Sequence, residues 1–190
     1  MTKLGWTILA LIVLVVGGFV SLLTFGHIER ARRPAERGTA RQSGVLAMPV
    51  SGYPRGAIRD SWGDARAGGT RAHHGTDIMA AGGTPVVAAA AGTVEKLFVS
   101  HDGGNTIYVR SPDRRWSYYY AHLAGYAQGL HEGQTVRSGD PLGFVGDTGN
   151  AGAGNTHLHF GLQRMRAGER WWQGEAVNPY PLLAGTAPAR

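Results

Sequence analysis

A chain of 190 residues suits one ordinary domain with an appendage, and its lack of cysteine excludes disulfides and thiolate metal sites. Any transition-metal site must therefore be built from histidine and carboxylate. The net charge of +6 is unevenly spread: residues 27–41 hold five Arg against two Glu, whereas Val45 onward holds 13 Lys and Arg against 11 Asp and Glu. Without a basic stripe carrying interleaved aromatics, no nucleic-acid partner is expected.

Residues 4–25, LGWTILALIVLVVGGFVSLLTF, form 22 positions without a charge. About 20 apolar residues span the hydrocarbon core as a helix, and Trp6 suits the interfacial aromatic belt. The apolar region of a cleavable signal peptide is about 7–15 residues and precedes a small-x-small cleavage site. This run is longer and continues into FGHIERARR, so an uncleaved membrane anchor is expected over residues 1–26. Residues 27–46 follow as an Arg-rich tether, in which Pro34, Gly38 and Gly44 interrupt a stretch of little apolar content. Arg30, Arg32, Arg33, Arg37 and Arg41 follow the span and only Lys3 precedes it. Counting positive charges alone puts the C-terminal side in the cytoplasm.

From Val45 the composition turns to short Val-rich and aromatic runs separated by glycine-rich turns. TPVVAAAAGTVEKLFVS (84–100), NTIYVRS (105–111), RWSYYYAHL (115–123), PLGFVGD (141–147) and THLHFGLQ (156–163) read as strands, with AAAA (88–91) inside a buried one. HDGGN (101–105), SPDR (111–114), RSGD (137–140) and GNAGAGN (149–155) read as turns or loops. The expected class is all-β, a single domain over residues 47–183 followed by a short tail at 184–190.

Three stretches carry candidate chemistry. In RAHHGTDIMA (71–80), Gly75, Thr76 and Ile78 argue against a helix and for a loop entering a strand at Asp77. His73 and the adjacent His74 are both candidates to act with Asp77. In YYYAHLAG (118–125), His122 ends an aromatic strand, where a hydrogen-bonded structural histidine is the plainer reading; Tyr118, Tyr119 and Tyr120 alternate faces and read mainly as packing. In NTHLHF (155–160), His157 and His159 are two apart and share one face of a strand, with Leu158 and Phe160 on the other. His27, His101 and His131 fall in tether or turn contexts and carry no expected role. Two histidines and one carboxylate are a recurrent ligand set for catalytic zinc, with a coordination position left for water. Further imidazoles can serve as general base and as oxyanion partner.

The order and context of these stretches resemble the lysostaphin/LytM-type zinc metalloendopeptidases, which cleave peptide bonds in bacterial cell-wall peptidoglycan. That family carries H-x-G-x-D, then a histidine in Y-x-H-L, then H-x-H; here they stand as HHGTD (73–77), YAHL (120–123) and HLH (157–159). GGTPVVAAAAGTV (82–94), GQTVRSGDPLGFVGDTGNAGAGNTHLHFGL (133–162) and VNPYPLL (177–183) extend the match over roughly residues 47–183. The resemblance implies one zinc ion on His73, Asp77 and His159, and so selects His73 over His74. It implies His157 as general base and His122 as the partner of the scissile carbonyl. It also implies an antiparallel β-sheet whose strands floor a substrate groove. The expected partners are peptidoglycan stems or cross-links and, through residues 4–25, the cytoplasmic membrane. Because that substrate lies outside the membrane, the resemblance orients the domain extracytoplasmically, against the arginine count. Some relatives have lost zinc ligands and act as adaptors that activate other hydrolases; the complete ligand set favours the enzyme. The wall loops 60–71 and 164–176 show no diagnostic chemistry.

Overall fold

The computed structural model describes residues 45–186. The expected anchor, and all but the last two residues of the expected tether, lie outside the described residues. Among the described residues no helix is long and apolar enough to cross a membrane.

Alternating apolar residues with β-branched and aromatic side chains give a β-dominated, antiparallel architecture. In chain order the strands are β1 (Ala65–Arg66), β2 (Arg71–Ala72), β3 (Thr76–Met79), β4 (Pro85–Val87), β5 (Gly92–Ser100) and β6 (Gly104–Arg110). They continue as β7 (Trp116–Tyr126), β8 (Thr135–Val136), β9 (Pro141–Val145), β10 (His157–Arg164) and β11 (Glu175–Val177), before helix α1 (Tyr180–Ala184). The main sheet runs β11-β10-β7-β6-β5-β8, and β1 pairs with β2 as a separate two-stranded strap. One edge of β10 takes β3 along its first half and β11 along its second, while the other edge pairs with β7. β9 pairs with the end of β7, and β4 with β9.

One face of this sheet is the core. Ile78, Val94, Ile107, Val109, Tyr118, Tyr120, Leu123, Leu158, Phe160 and Leu162 are buried there, joined by Val86, Leu142 and Val145 from β4 and β9. Each fully buried aliphatic or aromatic side chain of this kind contributes about 1.5–3 kcal/mol. The opposite face of β3, β7 and β10 is what remains for chemistry.

The structure departs from the sequence expectation at two places. The run 84–100 is not one strand but breaks at residues 88–91, between β4 and β5. There the Ala89 N–H donates to the Tyr120 hydroxyl at 2.9 Å, the Ala88 N–H to the Asp140 carbonyl at 2.9 Å, and Ala88 and Ala89 accept from Gly139 and Ala47. With their hydrogen bonds made outside any ladder, the small alanines let the chain turn through the core so that β4 and β5 join different partners. His122 is likewise not a strand end. It lies within β7 at φ +61°, where the register to β6 shifts between Asn105 and Ile107. A bulge of this kind adds one residue and re-aims a side chain.

Candidate metal centre

Strand register assembles the site. His159 on β10 is the direct cross-strand partner of Asp77 on β3 and, on its other side, of Ala121 on β7. Alternation then keeps His157, His159 and Asp77 on the solvent-facing side of the sheet, while Leu158, Phe160 and Ile78 enter the core. The bulge at His122 does for β7 what alternation does for β10. Tyr119, Ala121 and His122 all line the groove, whereas Tyr120 and Leu123 are fully buried on the other face.

His73 precedes β3 and is drawn in by the loop before it. Its N–H donates to the Asp64 carbonyl, and its own carbonyl accepts from Gly63. Buried Ser61 ties down both residues of the H-x-G-x-D stretch: its carbonyl lies 2.7 Å from His73 Nδ1, and its hydroxyl accepts from the Asp77 N–H at 3.0 Å. The central glycine has a steric reason. A Cβ on Gly75 would lie 2.6 Å from His159 Cε1 and 2.9 Å from the Phe160 carbonyl oxygen, so only glycine lets the His159 ring sit beside this loop.

Three donor atoms converge as a result. His73 Nε2 is 2.9 Å from His159 Nδ1 and 3.0 Å from Asp77 Oδ1, and His159 Nδ1 is 3.1 Å from Asp77 Oδ1. Ser61 presents a carbonyl, which only accepts, so His73 carries its proton on Nδ1 and turns a bare Nε2 lone pair into the cluster. Lone pairs and a carboxylate this close need a shared proton or a cation between them. The separations are close to the edge of about 3.3 Å expected for a tetrahedral ion with bonds of about 2.0–2.1 Å. Two imidazole nitrogens and a carboxylate oxygen fit a divalent ion of borderline softness. Among the described residues, this is the one group of three or more such side chains whose donor atoms converge in this way.

The other two imidazoles stand beside the cluster. His122 Nδ1 donates to the Thr148 carbonyl at 2.8 Å and His157 Nδ1 to the Asn155 carbonyl at 2.8 Å, so both rings expose Nε2. Their centroids are 4.8 Å apart, and His157 Nε2 lies 3.9 Å from Asp77 Oδ1. Burial pushes His122 down to about 4, only partly opposed by its bond to Thr148; burial also lowers His159 despite the nearby Asp77 carboxylate. Burial acts on Asp77 in the opposite sense, but the hydrogen bond from His159, with the His73 imidazole beside it, prevails and holds the carboxyl well below the usual carboxylate range. Asp77 is therefore an anion and His122 neutral at neutral pH.

All five residues singled out in the sequence, His73, Asp77, His122, His157 and His159, meet in one groove of about 520 Å³. His74 also borders this groove but is exposed and lies outside the three-donor cluster, its ring 5.4 Å from Trp62. His101 pairs with Asp102 on the surface and His131 with the Glu132 carbonyl. Sequence reasoning missed Ser61, which has no spacing signature, and Arg66. Arg66 lies in a wall loop read as undiagnostic, yet its Nη2 donates to Asp77 Oδ2, the oxygen turned away from the imidazoles.

Comparison with known proteins identifies relatives of this chain. The L-Ala--D-Glu endopeptidase of Bacillus subtilis is 39% identical over 176 residues, covering 89% of this chain and 48% of that protein. Peptidoglycan DD-endopeptidase ShyC of Vibrio cholerae is 33% identical over 93 residues, 49% of this chain and 21% of that protein. The chain thus spans about half the length, or less, of these two relatives. The crystallised catalytic domain of the antimicrobial peptidase lysostaphin from Staphylococcus simulans superposes with a TM-score of 0.55 at 28% identity, covering 66% of this chain and 90% of that domain. Residues 71–179, more than half of the chain and all five site residues among them, match the Peptidase family M23 model, and the chain belongs to that family.

Proposed function

We propose that this chain is a membrane-anchored zinc metalloendopeptidase that hydrolyses peptide bonds in bacterial peptidoglycan. The observation that carries this reading is the convergence of His73 Nε2, Asp77 Oδ1 and His159 Nδ1 beside two further imidazoles whose tautomers are set by backbone carbonyls. Family membership and the endopeptidase names of the relatives support it.

His73, Asp77 and His159 would hold one zinc ion. When bound, zinc lowers the pKa of its water to about 7 and polarises a carbonyl as a Lewis acid. His157 turns its Nε2 lone pair into the groove and takes the proton of the attacking water. The imidazolium so formed delivers that proton to the leaving amine as the C–N bond breaks. His122 spends its Nδ1–H on Thr148, so it donates from Nε2 to a developing oxyanion only as imidazolium. Burial keeps that form scarce at rest, and negative charge growing on the substrate oxygen favours it. Tyr119, packed at 5.8 Å against the His159 ring, bounds the groove on the β7 side.

The reading extends to location. Residues 4–25 anchor the chain with Lys3 inside, and residues 27–190 stand outside the cytoplasmic membrane, where peptidoglycan lies. The arginine count opposes this orientation, but long domains translocate largely regardless of charge, and Arg near anionic headgroups is favourable. Protease added to intact spheroplasts is expected to remove the domain and spare a cytoplasmic control; full protection overturns the orientation. The activity is tested by digesting purified peptidoglycan with the zinc-loaded full chain and weighing the released fragments. Peptide fragments with new amino termini are expected. No release, together with acceleration of a second hydrolase, would identify an adaptor instead.

A further inference from the structure

Two cavities meet at the metal centre. The larger, of about 520 Å³, extends over Tyr119 and His122 towards the 101–104 turn; the smaller, of about 350 Å³, extends over Tyr53 and Met79 towards Arg59. Arg66, Asp77, Asn155 and His157 border both, so a peptide crossing the site runs from one arm into the other with its scissile bond beside His157.

The smaller arm presents two guanidinium groups, each paired with one carboxylate. It is lined by Arg59 and Arg66, and Asp77 is the one carboxylate among its described lining residues. Asp77 is already committed, through Oδ1 to the two ligand imidazoles and through Oδ2 to Arg66. Arg66 therefore cancels the ligand carboxylate, and a divalent ion in the cluster keeps its full charge uncompensated. Arg59 is 71% exposed and pairs at 2.6 Å with Asp64, an exposed contact of the kind that contributes little and exchanges readily. A guanidinium has five N–H donors in a planar fork, and Arg66 needs one for Asp77. The arm accordingly suits an anion, and a planar carboxylate is the group this fork matches best.

We propose that Arg66 determines specificity by binding the free carboxylate of an acidic residue on one side of the scissile bond, with Arg59 adding positive potential in the same arm. The inference rests on the peptidase reading above and narrows its substrate to acidic wall peptides. A glutamate joined to its neighbours through its amine and one carboxyl keeps the other carboxyl free. One relative, matching 89% of this chain, is named for an L-Ala–D-Glu bond, which has such a residue on one side.

The test uses the zinc-loaded full chain and a pair of synthetic peptides containing L-Ala–D-Glu, identical except that the free glutamate carboxylate of one is amidated. The expected kcat/KM ratio favours the carboxylate peptide by about 10- to 100-fold, the scale of one hydrogen bond between charged groups. In Arg66→Met the ratio falls towards one, and Arg66→Lys restores part of it. Zinc content is measured in each variant. Loss of zinc from Arg66→Met with both peptides slowed in equal proportion would assign Arg66 to holding Asp77 alone and overturn the proposal, as would a wild-type ratio near one. If neither peptide is cut, the peptidase reading fails for these substrates, and equilibrium binding of the same pair decides. Tighter binding of the carboxylate peptide that is lost in Arg66→Met upholds the subsite, and equal binding overturns it.

Discussion

On the floor of the groove the imidazoles of His73, His122 and His157 are each fixed by a backbone carbonyl, and His159 by Asp77 and His73. On the rim, Arg59 and Arg71 are held by exposed acids, Asp64 and Asp102, and the Arg71 contact is long at 3.3 Å. The two regions share polar residue types and differ in what holds them. Carbonyl partners set a tautomer and an aim without adding charge, which is what a preorganised reactive centre requires. Exposed ion pairs hold little and exchange readily, which suits a surface that must admit a substrate. Arg66 joins the two, a rim residue bonded to the floor carboxylate of Asp77.

If the floor is preorganised around a metal, the largest effect comes from removing a donor. Asp77→Ala deletes one ligand and leaves Arg66 unpaired, so zinc affinity should fall by more than the about 10- to 100-fold typical of losing an outer partner. Competition against a graded chelator series measures this; undiminished affinity would mean that the cluster is not the site. Gly75→Ala tests the same floor without touching a donor. The added methyl must displace the His159 ring or the β10 backbone, so zinc affinity should fall by about 10- to 100-fold and stability by about 1–3 kcal/mol, read by chelator competition and thermal melting.

A smaller effect follows from His122. Its folded pKa, pushed down to about 4 by burial, lies below its ordinary value of 6.5. The unfolded chain therefore binds more protons between these limits. The metal-free chain should be fully supported by this residue above pH 6.5 and lose that support as pH falls through about 4. Partial solvent access reduces the effect to on the order of 1–2 kcal/mol. The difference in melting temperature between wild type and His122→Gln should shrink across that window; a constant difference would contradict the burial argument. The smallest effect belongs to the rim. Arg71→Gln should change stability by no more than about 1 kcal/mol, and a larger loss in a thermal melt would show that the strap is structural.

The floor was the more legible region for a physical reason. Alternation along a strand leaves a trace, so HLH could be read as two imidazoles on one face with Leu158 and Phe160 entering the core, whereas the choice of His73 over His74 in HHGTD rested on the family resemblance. The bulge at His122 left no such trace, because a left-handed non-glycine residue is imposed by register on both neighbours rather than by local propensity. The break at residues 88–91 was hidden for a related reason: alanine suits a buried turn as well as a buried strand, and the Tyr120 hydroxyl that satisfies Ala89 is 31 residues away in sequence. Ser61 acts from a loop and Arg66 from the two-residue strand β1, both too short for a periodicity, so nothing local marks them.

The central claim is that the three-donor cluster is a metal centre at which His157 moves the proton. Its most direct test is the zinc content and peptidoglycan-hydrolysing rate of His157→Ala beside wild type, both as zinc-loaded full chains. The account predicts about one zinc per chain in each and a rate lower by about 10²-fold or more in the variant, the usual scale for a general base. Full zinc occupancy with an unchanged rate would contradict it.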